Sequence, residues 1–204
     1  MQLRFKTELT GADYVSGEAW RLARLARCPV HREGGCRFAR HGTYSRVTPP
    51  GTRIARWYCA QAHRTFSLLP DHLAARFPGT LYEIDQVAAT VEQARSVEAA
   101  ADQLRSDDVT LVSAVRWVRR RVAAVRALLT IVIGLFPQLL LGCTPTMVSL
   151  RERFACEHVL IVLREVAELH LQALAPPLGF KHPAYRGGER NERIQHEMGP
   201  DPPR

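Results

Sequence analysis

The clearest pattern in this chain is the helical spacing of apolar residues that begins just after residue 77. Thr80-Leu81-Tyr82-Glu83 follows Pro78-Gly79 with the order of a capping box, and Ile84, Val87, Ala88 and Val91 then recur on one face, predicting a helix over 80–94. Ser96 is positioned to cap a second, short helix whose apolar face is Val97, Ala100, Ala101 and Leu104. Ser106-Asp107-Asp108 supplies the next turn, and a third helix begins near Val109. A stripe of Leu111, Val115, Val118, Val122 and Val125 is expected to face the core, which turns Ser113, Arg116 and Arg120 outward and leaves Trp117, Arg119 and Arg121 on the flanks.

Residues 127–150 carry no charged side chain. The stretch is long enough to raise the question of a membrane, but Pro137, Gly142 and Pro145 interrupt it, and its first half prolongs the valine stripe. A buried extension of the third helix is therefore expected, with no membrane span. A last long helix is predicted over 148–174, burying Phe154, Val159, Val162, Leu163, Val166 and Leu169, with Arg151, Glu152, Arg164, Glu165 and Glu168 on its wet side. Pro176-Pro177 ends it, and from Pro183 onward apolar content is too low to offset ordering entropy, so a disordered tail is expected.

Before residue 77 the rhythm is different. The segment is basic, punctuated by Gly and Pro, and expected to be β-rich. The fold class that follows is α+β, mostly α, divided into a β-rich module with an N-terminal extension (1–76), three helices (77–126), an apolar helical packing region (127–182) and a tail (183–204). No internal repeat is visible.

Composition is ordinary for a folded protein, with 204 residues, 46% of them hydrophobic and 24% charged. Charge becomes informative when it is divided along the chain. Residues 1–76 hold 13 Arg/Lys against 5 Asp/Glu, whereas residues 77–204 hold 15 of each, so the net charge of +8 belongs to the first module. The helical part is polarised too: residues 77–115 have seven acids and two arginines, and residues 116–126 have five arginines and no acid. Abundant arginine is most often a solvated surface, but this asymmetry makes nucleic acid the first partner to consider.

Candidate chemistry lies in the same basic module. Cys28-Pro29-Val30-His31 and Cys59 with His63 form two short pairs of the kind that chelate a tetrahedral metal, with Cys36 as an alternative ligand or spare thiol. A structural zinc would staple a segment too small to stabilise itself by burial. The alternative is that these are simply small buried residues. Five cysteines, an odd number, and the absence of a signal-peptide pattern in Met1-Gln2-Leu3-Arg4-Phe5-Lys6 point to the reducing cytoplasm, with Cys143 and Cys156 as packing residues.

The order Cys28-Pro29-Val30-His31, His41-Gly42-Thr43-Tyr44, Arg56-Trp57-Tyr58-Cys59, Arg64-Thr65-Phe66 and the later Arg116-Trp117-Val118-Arg119-Arg120 resembles the zinc-ribbon and helix-turn-helix front of bacterial insertion-sequence transposases. The resemblance covers roughly residues 25–125 and rests on short motifs. It departs from the family at His31, where a cysteine is usual, and at Ala62, which stands where the last cysteine would fall, leaving His63 one residue late.

The resemblance implies a double-stranded DNA-binding protein in which the ribbon meets phosphates and the third helix reads bases. Thr110, Ser113, Arg116, Arg119 and Arg120 are the contact candidates, and the C-terminal helices are a possible homodimer interface. A catalytic domain is not expected, because fewer than 80 residues follow Arg126 and they bear no set of convergent carboxylates, nucleophile motif or phosphate loop. Two rivals remain open: a protein-interaction adaptor using the ribbon and apolar helices, and a single-strand or RNA-binding ribbon stacking bases on Trp57, Tyr58 and Phe66.

Overall fold

The computed structural model describes residues 1–181. Its N-terminal part is a four-stranded sheet formed by β1 (Gln2–Phe5), β2 (Phe38–Ser45), β3 (Arg53–Cys59) and β4 (Arg64–Pro70), in the order β1-β4-β3-β2. The β3–β4 hairpin and the β2–β3 pair are antiparallel, with a register shift between Arg40 and Thr43, while β1 joins β4 in parallel. Between β1 and β2 the chain forms α1 (Gly11–Ser16) and a single 3-10 turn (Ala19–Arg21).

Alternation along β3 and β4 gives the sheet two different faces. On one, Ala55, Trp57, Phe66 and Leu68 are covered by Leu3, Phe5, Ala23 and Leu25, and Phe38 stacks on Trp57 at 5.4 Å. The Arg40 guanidinium donates to the carbonyls of Arg21 at 2.9 Å and Trp20 at 2.7 Å, which ties this covering segment to β2. On the other face, Ile54 and Leu69 enter the main core, which they share with the helical part.

The helices are α2 (Leu81–Gln93), α3 (Val97–Leu104), α4 (Leu111–Leu135), α5 (Met147–Phe154) and α6 (Val159–Val166). The expected caps form, Thr80 and Glu83 completing a capping box and Ser96 accepting from Ala99 N; Thr110, expected as a contact residue, also caps α4 by accepting from Ser113 N. The architecture is α+β, mostly α.

At about 37 Å long, α4 serves two cores. Its first half packs Ala114, Val118 and Val122 against Val87 and Val91 of α2 and Ala100 and Ala101 of α3. Its second half sends Val125, Leu128, Leu129 and Val132 into the main core with Met147, Leu150, Leu160 and Leu163. The first part of the uncharged stretch, 127–135, is thus a continuation of the third helix, and no helix of the described residues is long and apolar enough to cross a membrane. The inward line is rotated slightly from the expected stripe: Ala114 is buried, whereas Leu111 is 40% exposed.

Three expectations for the C-terminal part are corrected, the first being Leu169, which is 94% exposed where burial is expected. The single helix over 148–174 is instead α5, α6 and a 3-10 turn (Glu168–His170), because Ala155 takes a left-handed conformation with φ 47° and ends α5. The break lets α2 brace both pieces, as the buried Asp85 carboxylate accepts from Arg151 at 2.8 Å and from the Leu160 N–H at 3.0 Å.

Arg164, expected on the wet side, is fully buried. It donates to the carbonyls of Asp71, Leu73, Pro177 and Leu178 at 2.6–3.1 Å, supplying donors to two irregular segments that no helix or strand could satisfy. Burial lowers its pKa, yet four carbonyl acceptors hold the cation in place. The tail expected to be disordered, 183–204, lies outside the described residues.

Candidate metal centre and basic helix

Both halves of the metal centre are built by turns at strand ends. Cys28 closes the covering segment, and the Gly34 N–H returns to the His31 carbonyl at 3.1 Å. Gly34 and Gly35, at φ 88° and 76°, then reverse the chain so that Cys36 arrives two residues before β2. Cys59 is the last residue of β3, and its sulfur accepts the Ala62 N–H at 3.4 Å inside the hairpin turn.

The ligand atoms of Cys28, His31, Cys36 and Cys59 lie within 4.8 Å of one another, so this group can hold a metal ion. His31 Nδ1 is 3.6 Å from Cys28 Sγ and 3.3 Å from Cys59 Sγ. A tetrahedron with zinc-like bonds of about 2.3 Å to sulfur and 2.05 Å to nitrogen has a sulfur–nitrogen edge of about 3.6 Å. Those two separations already approximate such a tetrahedron.

The electrostatics suit a cation as well. Burial alone would raise the Cys28 thiol, but hydrogen bonds from the His31 and Val30 N–H groups, the His31 ring and Cys59 outweigh it and bring the pKa down to about 6. Burial and the neighbouring sulfurs push Cys36 up to about 11. Three thiols packed this closely cannot all carry charge without a cation among them, and a bound metal would remove that conflict.

The ligand set expected from the sequence was Cys28, His31, Cys59 and His63, with Cys36 as the alternative. The structure brings the first three together with Cys36 and leaves His63 outside. His63 occupies the last position of the β3–β4 turn at φ 47°, with its Nδ1 3.3 Å from the Tyr58 hydroxyl. Tyr58 and Cys59 are consecutive on β3 and therefore point to opposite faces, so His63 stands on the side away from the sulfurs.

The second group of candidate residues lies along α4. Arg116, Arg119 and Arg120 are exposed and share the outer face with Val112, Ala123 and Arg126. Arg119 is paired with Glu98 of α3 at 2.8 Å. Thr110 and Ser113 sit at the N-terminus, where the Thr110 hydroxyl caps the helix and donates to Ser113 Oγ at 3.0 Å. Arg121 is largely buried, stacked over Trp117 at 3.9 Å with a long hydrogen bond to the Pro78 carbonyl.

The turn from α3 to α4 spans residues 105–110, longer than the three or four residues usual in a helix-turn-helix. Arg105 braces it through Asp102 at 2.8 Å and the Val109 carbonyl at 3.2 Å.

The chelating turns and the arginine helix are visible in the sequence motifs, and Cys36, the alternative ligand there, takes the place of His63 in the cluster. The available signal was the Gly34-Gly35 pair, which reverses the chain beside His31. Comparison with protein-family models, with curated proteins and with solved structures finds no match for this chain.

Proposed function

We propose that this protein binds double-stranded DNA, with α4 entering the major groove and a zinc ion at Cys28, His31, Cys36 and Cys59 holding the sheet that braces it. The reading is carried by one observation: the exposed face of α4 presents Arg116, Arg120 and Arg126 without an acidic partner among the described residues, on a helix that α2 and α3 hold by its opposite face. Arginine is suited to this role because its planar donors pair with phosphate and with the O6/N7 edge of guanine. Arg116 and Arg120, one turn apart, are the base-reading pair; Arg119, held by Glu98, is placed for phosphate; Thr110 and Ser113 fix the N-terminus of the helix.

Zinc is the metal favoured by three thiolates and one imidazole in a closed tetrahedral set, which leaves no open position for catalysis. Its role in this reading is structural. The proposal is tested by titrating labelled duplex libraries with the wild type and with Arg116→Ala plus Arg120→Ala. The variant is expected to bind at least tenfold more weakly and to lose discrimination among sequences; unchanged affinity and preference would refute the reading.

A second reading has one specific observation in its favour. Ile131, Leu135, Leu139 and Leu141 are exposed by 46%, 40%, 39% and 80% around the distal end of α4, an apolar surface suited to a protein partner. A monodisperse monomer in sedimentation, with no protein partner recovered by crosslinking through this surface, would remove it.

A further inference from the structure

The helical part covers only the lower rows of the second sheet face. Ile54 and Leu69 are buried there, but the rows nearer the candidate metal centre are open: Thr65, Tyr58 and Ala39 form one, Ser67 and Arg56 the next, and His41 lies beside Tyr58 in the irregular stretch of β2. Arg56, Tyr58, Thr65 and Ser67 are half-buried and His41 is exposed, its ring 5.5 Å from that of Tyr58. Nearly every side chain in these rows is a hydrogen-bond donor.

Charge on this stretch has one sign. Residues 34–70 contain six arginines and no Asp or Glu. Arg40 and Arg46 are committed to backbone carbonyls. Arg56 has no acidic partner among the described residues, and neither has Arg76 just beyond β4.

The open face is also continuous with α4. Beside Gln2 and Tyr44 runs a groove of 290 Å³ that includes Thr48, Arg76 and Pro78. Thr48 and Pro78 also line a groove of 500 Å³ that reaches Trp117 and Arg121 of α4. The one acid in that second groove, Glu83, is engaged by the Thr80 N–H at 2.7 Å.

From this we infer that the open sheet face is a phosphate-binding track, on which Arg56, Tyr58, His41, Thr65 and Ser67 meet the backbone of the same DNA duplex that α4 reads, with Arg76 bridging the two. The inference rests on the duplex-binding reading of α4. Arginine, tyrosine, serine and threonine are the side chains that contact phosphate oxygens, and such contacts orient a protein on DNA without selecting its sequence. Trp57 and Phe66 belong to the covered face, so their large aromatic surfaces are turned away from this side, which favours a backbone track over a base-stacking platform.

The test is a salt titration of affinity for a 30-base-pair duplex and for its single strand, using the full chain loaded with zinc. Arg56→Gln plus Arg76→Gln should weaken duplex binding about tenfold. Each lost phosphate contact lowers the slope of log affinity against log salt by about 0.9, so the slope should fall by about 2 with sequence preference unchanged. Arg24 is exposed in the segment that covers Ala55 and Leu68, and exposed Arg53 opens β3 in phase with Ala55 and Trp57; Arg24→Gln plus Arg53→Gln therefore removes the same charge from the other side of the sheet, and that variant should keep the wild-type slope. Full zinc content and an unchanged circular dichroism spectrum establish that each variant is folded.

If the slope is unchanged in the Arg56/Arg76 variant while Arg116→Ala plus Arg120→Ala still abolishes discrimination, the track is wrong and the α4 reading stands. If both arginine pairs on the sheet lower the slope equally, net charge is the cause and the track is overturned. Loss confined to the single strand, or a change of oligomeric state with duplex affinity intact, overturns it as well. If neither the sheet pair nor the α4 pair alters binding, the duplex reading fails and the track falls with it.

Discussion

At the scale of single residues, the candidate metal centre turns on which donors reach one point. Cys28, His31, Cys36 and Cys59 converge, while His63 is turned toward Tyr58 on the opposite side of the hairpin. Cys28→Ser, Cys36→Ser and Cys59→Ser are therefore expected to lower bound zinc well below one per chain, measured by elemental analysis after dialysis against micromolar chelator. His63→Ala should retain a full equivalent, because its ring is not among the donors. The Cys36 result is decisive for the ligand set, since a wild-type zinc content in Cys36→Ser would return the fourth position to His63. The motif spacing shows that chelating turns exist, but a histidine and a cysteine at similar chain distance cannot be ranked until the face each presents is known.

At the scale of elements, the legible ones carry their own local signals. The helices α2 and α3 combine a capping residue with an apolar stripe, and both stand in the structure with Thr80 and Ser96 at the N-termini; α4 is legible from its stripe, and its cap is Thr110. The break between α5 and α6 has no such signal. Apolar spacing continues through it, and Ala155, a good helix former, adopts φ 47° there. The break is accompanied by a contact between distant segments, the buried Asp85 carboxylate accepting from Arg151 before it and from the Leu160 N–H after it.

A left-handed conformation costs a residue with a Cβ roughly 1 kcal/mol, and glycine avoids that cost. Ala155→Gly is accordingly expected to raise the unfolding free energy by about 0.5–1 kcal/mol. Urea denaturation would register this as a higher midpoint with the same slope; a fall in the midpoint would mean that the turn is not strained as described.

At the scale of the whole molecule, stability is divided between cores of different kinds. Among the described residues, the candidate metal end of the sheet has only Cys28, Cys59 and Phe66 buried around it, with Leu3, Leu25, Phe38 and Trp57 packed alongside. The main core joins the lower sheet to α2, α4, α5 and α6 through two dozen buried residues, Phe180 among them. Zinc held at the candidate centre would contribute an apparent ~10–16 kcal/mol at neutral pH, far more than so small a cluster obtains by burial.

Chelation should therefore unfold the metal end locally. In hydrogen exchange, amides of residues 28–66 are expected to lose protection while those of α2 and the second half of α4 keep theirs, and duplex affinity should fall in parallel. Uniform loss across the chain would instead show that the two parts unfold as one cooperative unit.

Local features were enough to establish a β-rich basic module ahead of capped helices, because periodicity, caps and charge are properties of neighbouring residues. They were enough to locate Cys28 and Cys59 and the arginines of α4 for the same reason. What required the folded chain was every relation between distant segments: β1 pairing with β4 across 65 residues, Arg164 buried among four carbonyls, and the open rows around Arg56 left uncovered by the helices. The choice of Cys36 over His63 is of the same kind. Chain distance is nearly equal for the two, and it is the reversal at Gly34-Gly35 and the opposite faces of a β-strand that bring one sulfur to the metal centre and turn one imidazole away.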